Sequence, residues 1–385
     1  MNYNRSNKNN STTGIRLMCA IVFVVFSFCW LFFFQPDLLI MAQHVLSGGL
    51  THYNRWVGAI LITFALMLLQ MAIYRLTKLN RRAYSLTFGP SLLLLGLLTD
   101  VTQDDGGDVS CASSWWLALI LLIIWLFCVF VARLLQQVED ADDAHIFSST
   151  MWHNMLTLAL LMICTAWIGN TNAVFHYRLK VEQCLMDGDL EGALKTGRKS
   201  LESDEHLLML RMYALARQEA LGERLFEYPI TGNSSQMLPT DSLSYLTIYP
   251  ADSLYKFIGA RPVGRMAPMR YLQLVERKDS VYHQVVSDYQ LCGYLIDRQI
   301  DTFAKEICRY YTINDSLPKH YREALTLYTH LRSHPVIVYH NSVMDEDYEN
   351  LSQLERQYPH KTERKVKVEE HYRGTYWYYY RYDKK

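Results

Sequence analysis

Three groups of residues in this sequence have types and spacings that could do chemistry. Acidic residues gather at Asp100, Asp104, Asp105 and Asp108 in DVTQDDGGDVS, and Asp37 stands apart in QPDLL. Several carboxylates on one short loop can hold a divalent cation through oxygen. The calcium-loop order with its closing Glu is absent, and a short acidic loop joining two apolar segments accounts for the cluster without a metal. Asp37 borders an apolar segment, where a carboxylate could serve a lipid-linked sugar transferase as base or metal ligand. Asp37, Asp104 and Asp105 are therefore the catalytic candidates. His330 and His334, in HLRSH, have the i, i+4 spacing of zinc ligands on one helix face. Leu331 stands where a metalloprotease needs its Glu, and no third ligand is evident. Gly192 to Ser200, GALKTGRKS, imitates a phosphate-binding loop, but Arg198 intrudes between Gly197 and Lys199 and no strand precedes it. No metal, cofactor or nucleotide is expected from these patterns.

The end of the chain carries another kind of signal. In HYRGTYWYYYRYDKK, Tyr376, Trp377, Tyr378, Tyr379 and Tyr380 run together. A β-type alternation would divide them between two faces. Aromatic rings with polar tips favour protein interfaces and lipid headgroup zones. These five residues are the partner-binding candidates, as a docking strap. The competing reading is a terminal segment that packs back over neighbouring helices.

The elements that must position these residues divide sharply by charge. Lys and Arg together number 38, as do Asp and Glu, so the chain has no net charge and lacks the basic surface that nucleic acid requires. Yet residues 15–170 hold only 16 of the charged residues and residues 171–385 hold 58. The front part is suited to lipid and the back part to water. A membrane helix needs about 20 apolar residues. Segments near 15–34, 56–74, 115–132 and 152–168 qualify. A fifth, 83–98, is apolar enough in SLLLLGLL but contains Gly89-Pro90, which should kink it. The first segment is followed by FFFQPD rather than by small residues, which argues against a cleaved secretory signal. Arg5, Lys8 and Arg16, then Arg75, Lys78, Arg81 and Arg82, mark one side as cytoplasmic. With five spans, everything after about residue 170 lies outside, in the periplasm of a bacterial inner membrane. No ionisable residue lies mid-span, which argues against transport.

From about residue 174 the spacing becomes that of amphipathic helices. Val181, Cys184 and Leu185 share one face, Gly188 breaks the helix, and Asp189 can cap the next. The hairpin DGDLEGA has the logic of a tetratricopeptide unit. Further hairpins are expected over 250–275 and 289–311, with a helix after Pro318. Residues 231–244 read as a linker or lid. Eight cysteines form no framework, although Cys292 and Cys308 could bridge a hairpin if exported. The expected class is all-α: a five-helix membrane bundle at 15–170 behind a cytoplasmic tail at 1–14, a helical-repeat domain at 171–335, and an aromatic extension at 336–385. Helical-repeat stacks offer a concave groove for peptides, while a plain cap on the membrane domain fits the same pattern.

The phrases LLIMAQHVLSGGLTHYNRWVGA, FGPSLLLLGLLTD, GDLEGA, ALGERLFEYP, SLPKHYREAL and GTYWYYYRYD resemble those of a family of unknown function. Its members look like multi-pass inner-membrane proteins of Gram-negative gut bacteria with a tetratricopeptide-like tail. The resemblance implies no catalytic residues. The expected role is a membrane protein, embedded in lipid, whose helical domain binds another envelope protein without catalysis of its own. The alternative is a polytopic enzyme, such as a lipid-linked sugar transferase, with acidic residues of its outer loops at the site.

Overall fold

The structure is a computed structural model that describes residues 3–103, 109–136, 149–239, 246–259, 261–262, 266–278 and 283–383. It divides into two compact units, Met1–Asn172 and Ala173–Lys385.

In the first unit, largely apolar segments form α1 (Tyr3–Cys29), α2 (Pro36–Ser47), α3 (Arg55–Thr77), α4 (Gly89–Leu98), α5 (Trp115–Leu135) and α6 (Ser149–Ile168). A π-helical turn, Trp30–Phe34, extends α1, and a 3₁₀ helix, Arg81–Phe88, leads into α4. Four helices are long and apolar enough to cross a membrane: Thr13–Phe34, Arg55–Thr77, Trp115–Leu135 and Ser149–Ile168. Most of their side chains face outward, as Ile120, Ile123, Phe127 and Phe130 do on α5. That pattern belongs to a bundle surrounded by lipid.

The count of membrane helices is therefore four, not the expected five. The segment at 83–98 breaks into a 3₁₀ helix and a ten-residue α-helix. The cause is local. Pro90 has no N–H, so the carbonyl of Leu86 loses its donor four residues on. Gly89 N keeps a 3₁₀ bond to that carbonyl, and the Trp125 indole adds a second donor, with Nε1 donating to Leu86 O at 2.7 Å. The ring can lie there because Gly89 has no Cβ; any Cβ would collide with it. Polar side chains from neighbouring helices hold the rest of the segment. Asn154 Oδ1 accepts from Ser85 N at 2.9 Å, and its Nδ2 donates to Arg81 O at 2.8 Å. Gln70 Nε2 donates to Thr87 Oγ1 at 2.8 Å. Thr165 Oγ1 donates to Leu92 O at 3.1 Å. At one end of the segment Tyr84 packs on Tyr74, beneath the guanidinium of Arg16. Past the other end, Thr99 Oγ1 accepts from Trp30 Nε1 at 3.2 Å and Thr99 O accepts from Asn170 N at 3.0 Å. A small hairpin, β1 (Val101–Gln103) and β2 (Val109–Cys111), follows that end.

The second unit is helical among the described residues: α7 (Ala173–Met186), α8 (Leu190–Lys195), α9 (Glu205–Arg217), α10 (Leu221–Arg224), α11 (Ala251–Ile258), α12 (Pro268–Lys278), α13 (His283–Ile296), α14 (Ile300–Tyr310), α15 (Lys319–Leu331), α16 (Ser342–Gln357), α17 (Lys361–Tyr372) and α18 (Tyr376–Tyr382). Asp189 caps α8, accepting from Gly192 N at 2.8 Å, and Asp204 caps α9, accepting from Leu207 N at 2.7 Å. The first hairpin departs from a repeat unit in that α8 has only six residues. Gly197 turns left-handed (φ +62°) just beyond it, with Tyr177 packed too close for any Cβ. Arg211, fully buried, donates from Nη2 to the carbonyls of Thr196 and Gly197 at this end. Residues 231–239 are not a free linker, since Met237 and Leu238 are buried in the core. Nor is 336–385 a separate extension: Leu351, Val368, Tyr376 and Trp377 share the core of α9, α13 and α15.

Because Leu86 O keeps Gly89 N as a donor, Trp125→Phe removes one hydrogen bond without orphaning the carbonyl and should destabilise the first unit by about 0.5–1.5 kcal/mol. In a Pro90→Ala background the Ala N–H can return to Leu86, and the same substitution should cost clearly less. A double-mutant cycle of thermal unfolding in detergent measures the difference, and equal costs in both backgrounds would refute the reinforcement.

Candidate functional site

The acidic candidates do not form a described site. Asp37 lies in the first turn of α2, half-buried. Asp104 and Asp105, with Asp108, lie outside the described residues. Asp100 is committed to structure: it accepts from Ser113 Oγ at 3.1 Å and from Ser114 N, at the start of α5. The histidine pair is also separated. α15 ends at Leu331, so His334 lies past the helix and is exposed, while His330 Nδ1 pairs with Thr326 O at 2.9 Å. Among the described residues no group of three or more His, Cys, Asp or Glu is placed to hold a metal. The phosphate-loop imitation lies on α8 and the turn after it. Cys292 is buried and Cys308 exposed, both with free thiols. With one in the core and the other facing water, the bridge possible between them does not form.

The aromatic tail is not extended. Gly374 turns the chain with φ +87°, and Thr375 caps α18 by accepting from Tyr378 N at 3.2 Å. Helical spacing turns Tyr376, Trp377 and Tyr379 inward, and all three are buried. Trp377 Nε1 donates to Glu323 O at 2.7 Å, and Tyr379 OH donates to Ile296 O at 2.6 Å. Three of the five partner-binding candidates are thus core residues, and only Tyr378 and Tyr380 are part-exposed. The reading in which the tail packs over its own helices is the one the coordinates show.

Two buried clusters have the composition of catalytic sites, and both are saturated. His320 and Glu323 sit on α15 with Nδ1 and Oε2 2.9 Å apart. A carboxylate orienting an imidazole is half of a catalytic triad, but a base needs a free Nε2. Here Phe226 N donates to His320 Nε2 at 3.2 Å, which fixes the tautomer with the proton on Nδ1. Glu323 Oε2 also accepts from Tyr376 N at 2.7 Å. The dyad is a clasp joining α15 to α18 and to residue 226. The second cluster is Asp288, Tyr311, Tyr321 and Cys292. Asp288 Oδ1 accepts from Tyr311 OH at 2.6 Å and from Tyr321 OH at 2.8 Å. Burial pushes the Asp288 carboxyl above its ordinary range, and the two hydroxyls offset this only in part. Burial also pushes the Cys292 thiol up, which removes it as a nucleophile. The sequence carried no signal for either cluster, because their members converge only through helix packing.

Among the described residues of the second unit, a cavity of about 310 Å³ lies between residues 226–230 and helices α17 and α18. Its walls include Phe226, Tyr228, Tyr378 and Tyr379, with Lys365 and Arg373 exposed at its edge. Glu227, on the opposite wall, is already paired with Arg198 at 3.0 Å. Burial pushes Tyr379 up to about 12 and raises the Asp383 carboxyl. The lining carries both signs, Lys365 and Arg373 together with the carboxylates of Glu227, Glu369 and Asp383.

Residues 271–383 match DUF6057, a family of unknown function. The match runs from within α12 to the end of α18, under a third of the chain. It includes both saturated clusters and one wall of the cavity, and two of the phrases on which the resemblance rests, SLPKHYREAL and GTYWYYYRYD. No curated protein and no solved structure matches the chain.

Because the folded state raises the Asp288 carboxyl above its unfolded value, its contribution is most favourable below the ordinary carboxylate range. It is lost as pH rises through the raised value. Asp288→Asn keeps an acceptor for both tyrosines and cannot ionise. The stability difference in favour of the variant should therefore grow as pH rises above the ordinary carboxylate range in thermal unfolding of the full chain. A difference that stays constant or shrinks would contradict the burial argument.

Proposed function

We propose that the chain is an integral membrane protein whose helical unit binds another protein or peptide of the cell envelope, with no catalysis of its own. The observation that carries this reading is the saturation of the buried ionisable clusters in the second unit, beside an open cavity edged by Lys365 and Arg373. Groups already bonded to backbone and to one another cannot exchange protons with a substrate, whereas a cavity of rings and charges of both signs can hold a peptide. The hairpins α7–α8 and α13–α14 fit irregular units of a tetratricopeptide-like stack, shortened at α8. Lys365→Glu with Arg373→Glu should abolish co-purification of a partner protein in detergent while leaving the chain folded. If the variant and the parent retain the same sugar-lipid and no protein, the transferase reading centred on Asp37 replaces this one.

The reading also places the N-terminus in the cytoplasm of a bacterial inner membrane and the helical unit in the periplasm. Two features support it. Lys and Arg concentrate at the end of the bundle that holds Arg16, Tyr74 and Arg133. The broken segment runs from that end to the end that holds Trp30 and Asn170. Eight 3₁₀ residues and ten α-helical ones rise about 31 Å together, about a hydrocarbon thickness. A broken passage of that length, beside the four continuous helices, would carry residue 172 to the side opposite the N-terminus. Cys308, exposed and free, should then react with a membrane-impermeant maleimide in intact spheroplasts. Labelling that requires lysis would place the helical unit in the cytoplasm.

A further inference from the structure

Helix α2 connects two membrane helices at the same end of the bundle, beginning after Phe34 and ending before Arg55. Its level is therefore that of the boundary between hydrocarbon and headgroups. Trp56, Trp115 and Trp167, each exposed, lie at helix termini on this end, as an interfacial aromatic belt does. One side of α2 is packed inward through Leu38, Leu39 and Met41. Beside it lies a cavity of about 370 Å³, floored by Leu39, Ala42, Leu46 and Leu98 and walled by Tyr53. Its polar residues are bonded among themselves: Gln43 Nε2 donates to Thr51 Oγ1 at 2.9 Å, and Thr51 N donates to Ser47 Oγ at 3.2 Å. Gly58 fixes the wall, since any Cβ there would collide with the Tyr53 ring.

We propose that this cavity holds part of an acyl chain of a membrane phospholipid. No charged residue lines it, so it holds no fixed charge to pair with a carboxylate or phosphate. Its volume is at the low end for small-ligand pockets, roughly 300–1,000 Å³, and a packed helix about 10 Å across is too wide for it. Its rim is continuous with apolar surface that already faces outward. Leu46 and Leu50 are 81 % and 88 % exposed, and Val57, Ile60 and Leu61 continue the strip along α3. In water that surface would be costly; in lipid it is the ordinary lateral face of the bundle. The inference rests on the membrane reading of the first unit and is independent of what the second unit binds.

The test uses the full chain in phosphatidylcholine vesicles containing a phosphatidylcholine with a diazirine on one acyl chain. After irradiation, adducts are mapped by mass spectrometry. Residues 39–53 should label strongly and saturate as the probe fraction rises, whereas α5, facing bulk lipid, should label in proportion to the probe. Ala42→Trp fills the cavity and should lower labelling at 39–53 several-fold without changing α5. If that variant does not fold, the saturation measurement on the parent chain decides alone. Labelling at 39–53 that only tracks the probe fraction overturns the proposal in favour of plain boundary contact. Competition by free fatty acid equal to that by phospholipid overturns the phospholipid assignment. Absence of label on α5 as well would instead overturn the membrane reading.

Discussion

A carbonyl without a donor inside hydrocarbon has no water to turn to. Pro90 takes the α-helical donor from Leu86 and leaves its carbonyl a 3₁₀ bond from Gly89, and the first unit reinforces that carbonyl from a neighbouring helix. The second donor comes from a side chain thirty-nine residues away, on α5. It reaches the break because position 89 is a glycine, so the indole can lie against the backbone. Once a tryptophan on one helix is tied to a carbonyl on another, the register of the two is set. Asn154, Gln70 and Thr165 extend the same principle along the segment. Each donates to backbone or hydroxyl on the broken piece, so a stretch too irregular to stand alone in lipid is enclosed by helices that can.

The second unit obeys the same rule in a different solvent. Its buried carboxylates and bases are costly unless bonded, and the fold spends them on holding chain segments together. Glu182 is wholly buried and accepts from three successive amides, Thr247, Ile248 and Tyr249, through one oxygen. Arg211 closes the end of α8, and burial draws its guanidinium down to about 10. Glu323 and His320 gather the backbone of residues 226 and 376. A catalytic group needs an unshared lone pair or proton facing open space. These groups face backbone. The same residue types that suggest chemistry in a list become fasteners in three dimensions.

What remains available for function is therefore surface and cavity. The first unit has a lateral apolar face and a pocket at its boundary level. The second has a cavity whose aromatic walls are held from behind by the core and whose cations lie at its edge.

Much of this was legible in the residues themselves, where the physics is local. Apolar run length identified the four membrane helices, Asp189 announced the helix it caps, and the rise in charge density marked the division near residue 172. The break at Gly89-Pro90 was visible too, though not its consequence. What composition could not reveal was orientation and convergence. A run of Tyr and Trp reads equally as an exposed strap or a buried helix until Gly374 and Thr375 set its phase and Glu323 offers it acceptors. His330 and His334 lose their shared face because α15 stops at Leu331. Cys292 and Cys308 part because one is packed in the core and the other faces water. Glu323, His320 and Tyr376, or Asp288, Tyr311 and Tyr321, become neighbours only when helices pack. Run length and capping depend on a few adjacent residues, whereas convergence depends on where separate helices come to rest, and no local pattern encodes that.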